Sequence, residues 1–229
     1  MPRSLGTLAQ MSNPRVLAAL LCVGLVAACG KAESPAPKAD IGKVSTLKSS
    51  FGPDFKIAEV APTGIDPKLL AGQKLPDSLK FDPPGCAKFA TGQLVPAGTQ
   101  GNMAALSAEG QGNRFIVIAV ETNEPVPVTE PGPDCQKVAF SGGAVRGLVE
   151  VIDAPPIDGA KTLGVHRVLQ TVINGAPRSG EVYNYSAHFG PYQVIVTANP
   201  LVLPDKPVQK VDTERARTLL AAGVRAIRS

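Results

Sequence analysis

The chain has 229 residues, a formal charge of +4, 44% hydrophobic and 4% aromatic residues, and no tryptophan. That length suits one domain with a substantial core. Taking Arg3 and Arg15 away with the leader lowers +4 to +2, a balance that excludes the basic stripe of a nucleic-acid binder and a polybasic membrane patch.

Val16 to Ala28 carries no charge and follows Arg15. A basic start, an apolar core of about 7–15 residues and small residues at the cut describe an export signal. The run is too short to cross a bilayer, which takes about 20 apolar residues. Val26-Ala27-Ala28-Cys29 resembles the bacterial lipobox. That resemblance implies a lipoprotein signal peptide over 1–28, with a lipid transferase and a signal peptidase acting in turn, and acyl chains such as palmitate on Cys29. The protein is then lipid-anchored on the extracytoplasmic face of the cell membrane. Two or more buried chains hold where one is marginal, at about 0.8 kcal/mol per methylene. An ordinary signal peptide or an uncleaved anchor is the alternative. Met11 offers a second start that leaves the mature chain unchanged.

Residues 29–50 read as a flexible tether, because Lys31 to Lys38 is polar, proline-bearing and poor in apolar surface. Residues 51–229 read as a single domain. Phe55 to Val60 alternates in period two, as a strand does. Asp66 and Pro67 begin a possible helical turn around Leu69-Leu70. Pro83-Pro84-Gly85-Cys86 opens a short helix that presents Cys86 inward, with its prolines where a helix start tolerates them. Met103 to Ser107 and Phe115 to Glu121 flank Gly110-Gln111-Gly112-Asn113, a hairpin signal. Ile116 to Val120 is apolar on both faces and is expected to be a central strand. Pro125 to Pro133 is a proline-rich loop, and strands follow at Gln136–Phe140, Leu148–Ile152 and Leu163–Ile173.

Glu181–His188 and Tyr192–Ala198 form a further hairpin. Val182, Asn184, Ser186 and His188 share one of its faces, and Tyr183, Tyr185 and Ala187 the other. The last element is the clearest helix. Asp212 caps it, Glu214 sits in its first turn, and Ala216, Leu219, Leu220, Gly223, Val224 and Ile227 share one apolar face. That face lacks Trp and Phe, which favours packing on the sheet over resting on a membrane. The expected fold is α+β: a twisted antiparallel sheet of about six or seven strands, helices packed on one side, and an amphipathic C-terminal helix.

Cys22 is lost with the signal and Cys29 is taken by lipid, leaving Cys86 and Cys135. In an oxidising envelope an even pair reads as one disulfide, with two reduced buried thiols as the alternative. Neither histidine stands at ligand spacing from a cysteine, so no metal site is expected, and no cofactor motif is present. Ser141 to Gly147 is glycine-rich but lacks the Gly-Lys-Ser/Thr ending of a phosphate cradle, and reads as a bend. No Gly-x-Ser-x-Gly elbow exists, so no catalytic residue is assigned. His166 and His188 are the bases that a hydrolase would use. Tyr183, Tyr185, Phe189 and Tyr192 cluster near the second hairpin as candidate ligand-binding residues, with ordinary core packing as the competing reading.

With the lipobox, the Pro-Pro-Gly-Cys segment, Cys135-Gln136-Lys137-Val138 and the terminal helix in hand, the chain resembles the single-domain lipoproteins of unknown function from mycobacteria. More distantly it is similar to the PknH-like extracellular sensor domain of mycobacterial receptor kinases. The resemblance implies disulfide roles for Cys86 and Cys135 and a sensor-like protein that binds a small ligand or an envelope partner. An envelope hydrolase and a structural surface spacer are the alternatives.

Overall fold

Ile41, Val44 and Leu47 recur every third residue, the period of a 3₁₀ helix. The computed structural model forms one over Ile41–Ser50 with those three side chains buried. The Asp40 carboxylate caps it by accepting from the Gly42 N–H at 2.9 Å. This corrects the tether, whose last ten residues belong to the packed domain. Lys43, Ser45, Thr46 and Lys48 dilute the apolar content of the segment, and its period of three escapes a search at 3.6. The structure describes residues 38–66, 75, 78–92, 95–204 and 206–229. Cys29 with the leader, and the turn expected at Leu69-Leu70, lie outside them.

Nine strands are present among the described residues: β1 (Lys56–Gly64), β2 (Lys80–Asp82), β3 (Gly101–Gly110), β4 (Asn113–Thr122), β5 (Lys137–Gly142), β6 (Val145–Ile152), β7 (Lys161–Ile173), β8 (Ala176–Phe189) and β9 (Tyr192–Pro200). They form one antiparallel sheet in the order β1-β3-β4-β9-β8-β7-β6-β5-β2. The fold is therefore mainly β with a few helices, and six or seven strands was too low a count. β2 is a three-residue edge strand, too short to show a period. β7 and β8 pair from Lys161↔His188 to Ile173↔Ala176. Asn174 and Gly175 turn that hairpin with φ of 51° and 75°, the left-handed pair that an Asn-Gly dipeptide supplies. Within Ser141 to Gly147, expected to be a bend, only Gly143-Ala144 turns, and the residues on either side belong to β5 and β6.

Two layers flank the sheet. On one face lie the N-terminal 3₁₀ helix and α2 (Thr213–Arg228). α2 is capped by Asp212, which accepts from the Arg215 N–H at 2.9 Å. It buries Ala216, Leu219, Leu220, Gly223, Val224 and Ile227, the six residues of its predicted face. A Cβ on Gly223 would stand 3.0 Å from Val194 Cγ1, so glycine lets the helix come close to β9. Leu106, Val117, Val194 and Val196 meet this layer from the sheet. Each fully buried aliphatic side chain contributes about 1.5–3 kcal/mol.

The opposite face is covered by loops and by α1 (Ala87–Ala90), which continues the 3₁₀ turn Pro84–Cys86. The helices are thus not all on one side. Two separate apolar clusters lie under this cover. One gathers Cys86, Ala90, Val138, Phe140 and Val149, and the other Val95, Met103, Ile118, Val120 and Ile195. Ile118 and Val120 point here while Val117 and Ala119 point to the helical layer, which makes β4 the doubly covered central strand its sequence predicts.

Candidate functional site

A strand sends alternate side chains to opposite faces, and on β8 this separates two kinds of residue. Tyr185 and Ala187 enter the helical layer. Asn184, Ser186 and His188 face the loop-covered side, opposite Thr197, Ile195 and Gln193 of β9. The result is a polar strip between the two apolar clusters. Asn184, Ser186, Gln193 and Thr197 are all buried.

Most of the strip is internally bonded. Thr197 Oγ1 donates to Asn184 Oδ1 at 2.8 Å, and Gln193 Nε2 lies 3.2 Å from His188 Nε2. Burial pushes His188 down to about 4, so at neutral pH the ring is uncharged and its Nε2 accepts the amide N–H. Ser186 is different. It is 1% exposed, and its Oγ has no hydrogen-bond partner among the described residues. A buried hydroxyl left unpaired costs about 1–3 kcal/mol.

Over this strip lies a cleft of about 70 Å³. Its floor is Leu163, Val165 and Arg167 of β7 with Asn184, Ser186 and His188 of β8. Phe89 and Gly92, at the end of α1, form one wall, and Pro127, Val128 and Thr129 form the other. The Cys86–Cys135 disulfide ties these walls together, because Cys86 immediately precedes α1 and Cys135 ends the 3₁₀ turn Pro133–Cys135 that closes the proline-rich loop. Lys161 Nζ holds the same loop through Glu130 Oε1 at 2.8 Å, an ion pair that lowers the Glu130 carboxyl below its usual range.

Arg167 is the cation of the cleft. Its Nη2 donates to Ala90 O at 3.1 Å, and burial lowers its guanidinium from the ordinary arginine value. Its cross-strand neighbours are Val149 and Val182. No aspartate or glutamate is among the described residues lining the cleft. A wider hollow of about 610 Å³ lies at the tips of the β5–β6 and β7–β8 hairpins beside Arg146 and Arg178, but no buried polar side chain lines it.

The four aromatic residues expected to form a ligand groove lie on the helical side of the sheet. Tyr185 is 2% exposed in the helical layer, where burial raises its hydroxyl above the usual tyrosine value. Phe189 and Tyr192 stack in the same core with ring centroids 5.8 Å apart, and the Arg228 guanidinium lies 4.1 Å from the Phe189 centroid. Tyr183 stacks on His166 at 4.1 Å, on that same side of the sheet. None of the four lines the cleft. The competing reading, core packing, describes three of them.

Of the two candidate bases, His166 contacts Glu181 Oε2 at 3.1 Å and is one strand face away from the cleft. His188 lines the cleft beside Ser186, yet Ser186 Oγ makes no hydrogen bond to it, and a ring titrating near 4 is a weak base at neutral pH. The cleft can desolvate, orient and neutralise a small anionic or polar group. The signal for it was present in the sequence as Asn184, Ser186 and His188 on one face of a strand. What was missing was the knowledge that this face is covered.

The chain belongs to the family described as a domain of unknown function, DUF5642, whose model matches residues 40–228. It is similar to an uncharacterised protein (Rv0999 ortholog) from Mycobacterium smegmatis, solved by X-ray crystallography, at 64% identity and a TM-score of 0.79. The match covers 84% of this chain and 99% of that one. The extracellular domain of PknH from Mycobacterium tuberculosis is 11% identical, with a TM-score of 0.34 over 81% of this chain and 91% of that one. At that score a shared fold is not established. No curated protein matches the chain.

Proposed function

We propose that this chain is a lipid-anchored cell-envelope domain, held through Cys29 on the extracytoplasmic face of the membrane, which binds a small ligand in the cleft over β7 and β8 without catalysing a reaction. One observation carries the binding reading: a polar strip, buried between two apolar clusters, opens into a cleft with the Ser186 hydroxyl still unbonded. Cores avoid such groups unless something uses them. The absence of a Ser186–His188 hydrogen bond favours binding over nucleophilic chemistry. The Cys86–Cys135 bond suits an oxidising compartment, and the leader supplies the route there.

A ligand that binds only the native state raises the unfolding midpoint. Thermal unfolding of the full chain against a panel of small polar and amphiphilic solutes tests the reading, alongside Val165→Trp, which fills the cleft. At least one solute is expected to raise the midpoint of the wild type and not that of the variant. Equal shifts in both proteins, or none at all, overturn it. For the anchor, Cys29→Ser is expected to move the protein from the membrane fraction to the soluble fraction, and unchanged membrane retention contradicts lipidation at that sulfur.

A further inference from the structure

Resting on the binding reading above, we propose that residues 125–131 form a movable strap over the cleft, latched shut by the Glu130–Lys161 ion pair, and that a ligand enters when this pair parts.

Closure comes first. Ser186 lines the cleft, yet its hydroxyl is sealed from solvent. At about 70 Å³ the enclosed space is far below the roughly 300 Å³ or more of a drug-sized pocket. A ligand that reaches Ser186 therefore has to displace a wall. The floor is held by the ladder between β7 and β8, which pair from Lys161↔His188 to Ile173↔Ala176. The α1 wall is fastened to that floor, because Ala90 O accepts from Arg167 Nη2 at 3.1 Å.

The other wall is free to move because of its sequence. Pro125, Pro127 and Pro131 have no N–H to donate, so this segment cannot join a hydrogen-bond ladder as a strand would. Among the described residues, no backbone hydrogen bond ties 125–131 to the rest of the chain. Its polar tie is Lys161 Nζ to Glu130 Oε1 at 2.8 Å, with both side chains largely exposed. Such a pair is weak and is screened by salt. Lys161 stands opposite His188, which lines the cleft, so the latch sits at the edge of the site. Val126 and Val128 are half-buried and reseat the strap when it closes. Segments with few buried contacts and few backbone bonds open at the least cost. Beyond the strap, Cys135 is held to Cys86, which fixes the hinge and lets the segment swing without unfolding the sheet.

The test places a thiol on the cleft floor and times its reaction. Ser186→Cys in the full chain, in detergent, is treated with methyl methanethiosulfonate, an uncharged reagent. The label is located by peptide mass, so that other thiols do not interfere. At low salt the introduced thiol is expected to react far more slowly than a cysteine in an unstructured peptide. Adding Lys161→Glu is expected to raise the rate about fivefold, because two carboxylates then face each other. Adding Glu130→Lys as well restores an opposite pair and is expected to bring the rate back to within about twofold of the parent. In about 1 M salt all three rates are expected to converge. Equal rates in the three proteins at low salt overturn the latch, as does a Lys161→Glu effect that the charge swap fails to reverse. A parent thiol that reacts as fast as the free peptide, or one never labelled in any of the three, also overturns it. Should Ser186→Cys fail to fold, Val165→Cys on the same floor decides by the same comparisons. Equal rates together with a stabilising solute in the panel above leave a rigid binding cleft without a gate. A gated thiol with no stabilising solute removes the ligand and keeps the moving strap.

Discussion

The two faces of the sheet are built by different means. The helical face is closed by α2 and the N-terminal 3₁₀ helix, and its core runs continuously from Ile41 to Ile227. The other face is closed by irregular chain and one disulfide, and its apolar clusters are split by the strip of Asn184, Ser186 and His188. The contrast teaches where stability and recognition are kept. Regular packing on one side carries the fold, which leaves the other side able to hold a buried polar group that contributes little to it.

The comparison is broken most severely from the helical side. Leu220 is 0% exposed beneath α2, and Leu220→Ala is expected to cost about 3–5 kcal/mol, read as a lower denaturant midpoint with an unchanged slope. A loss below about 1 kcal/mol denies the helical face its role.

Next in size is the staple of the loop-covered face. Cys86 and Cys135 lie 49 residues apart, and replacing both by serine is expected to remove about 2–4 kcal/mol. Hydrogen exchange should accelerate in α1 and residues 127–135 while the amides of α2 keep their protection relative to the new global stability. Uniform acceleration everywhere contradicts the division between the two faces.

A third effect is pH-dependent. His188 titrates near 4 in the fold because of burial, against about 6.5 in the unfolded chain. The native state therefore binds fewer protons. Its contribution is complete above pH 6.5, falls as pH drops from 6.5 towards 4, and levels off below that. Wild type is expected to lose about 2 kcal/mol relative to His188→Gln between pH 7 and pH 4.5. Parallel stability curves for the two proteins contradict a buried neutral ring.

The same contrast explains what the sequence made legible. The face of α2 could be read residue by residue, because a helix on a sheet imposes a period on its own sequence. The β3–β4 hairpin and the doubly apolar β4 were equally plain. The 3₁₀ helix was hidden by its period of three. The β7–β8 turn is marked by Asn174-Gly175, but the expected strands end at Ile173 and resume at Glu181, so the first residues of β8 carry no assignment from the sequence. The cleft was harder for a physical reason: its walls are loops without periodicity, so nothing in Pro127 to Thr129 announces which strand face it covers. Aromatic residues drew the site assignment to Tyr183, Tyr185, Phe189 and Tyr192, yet large rings are as useful to a core as to a ligand. The smaller polar residues on the opposite face of the same strand held the information.

The smallest expected change is the most telling one. If Ser186 is kept for a ligand, removing its hydroxyl deletes an unbonded buried group and takes nothing from the fold. Ser186→Ala, measured by chemical denaturation without added ligand, is predicted to leave stability unchanged or raise it by up to about 1 kcal/mol. A loss of more than about 1 kcal/mol would mean that the hydroxyl is bonded within the native protein, and the strip would then be part of the fold and not a binding site.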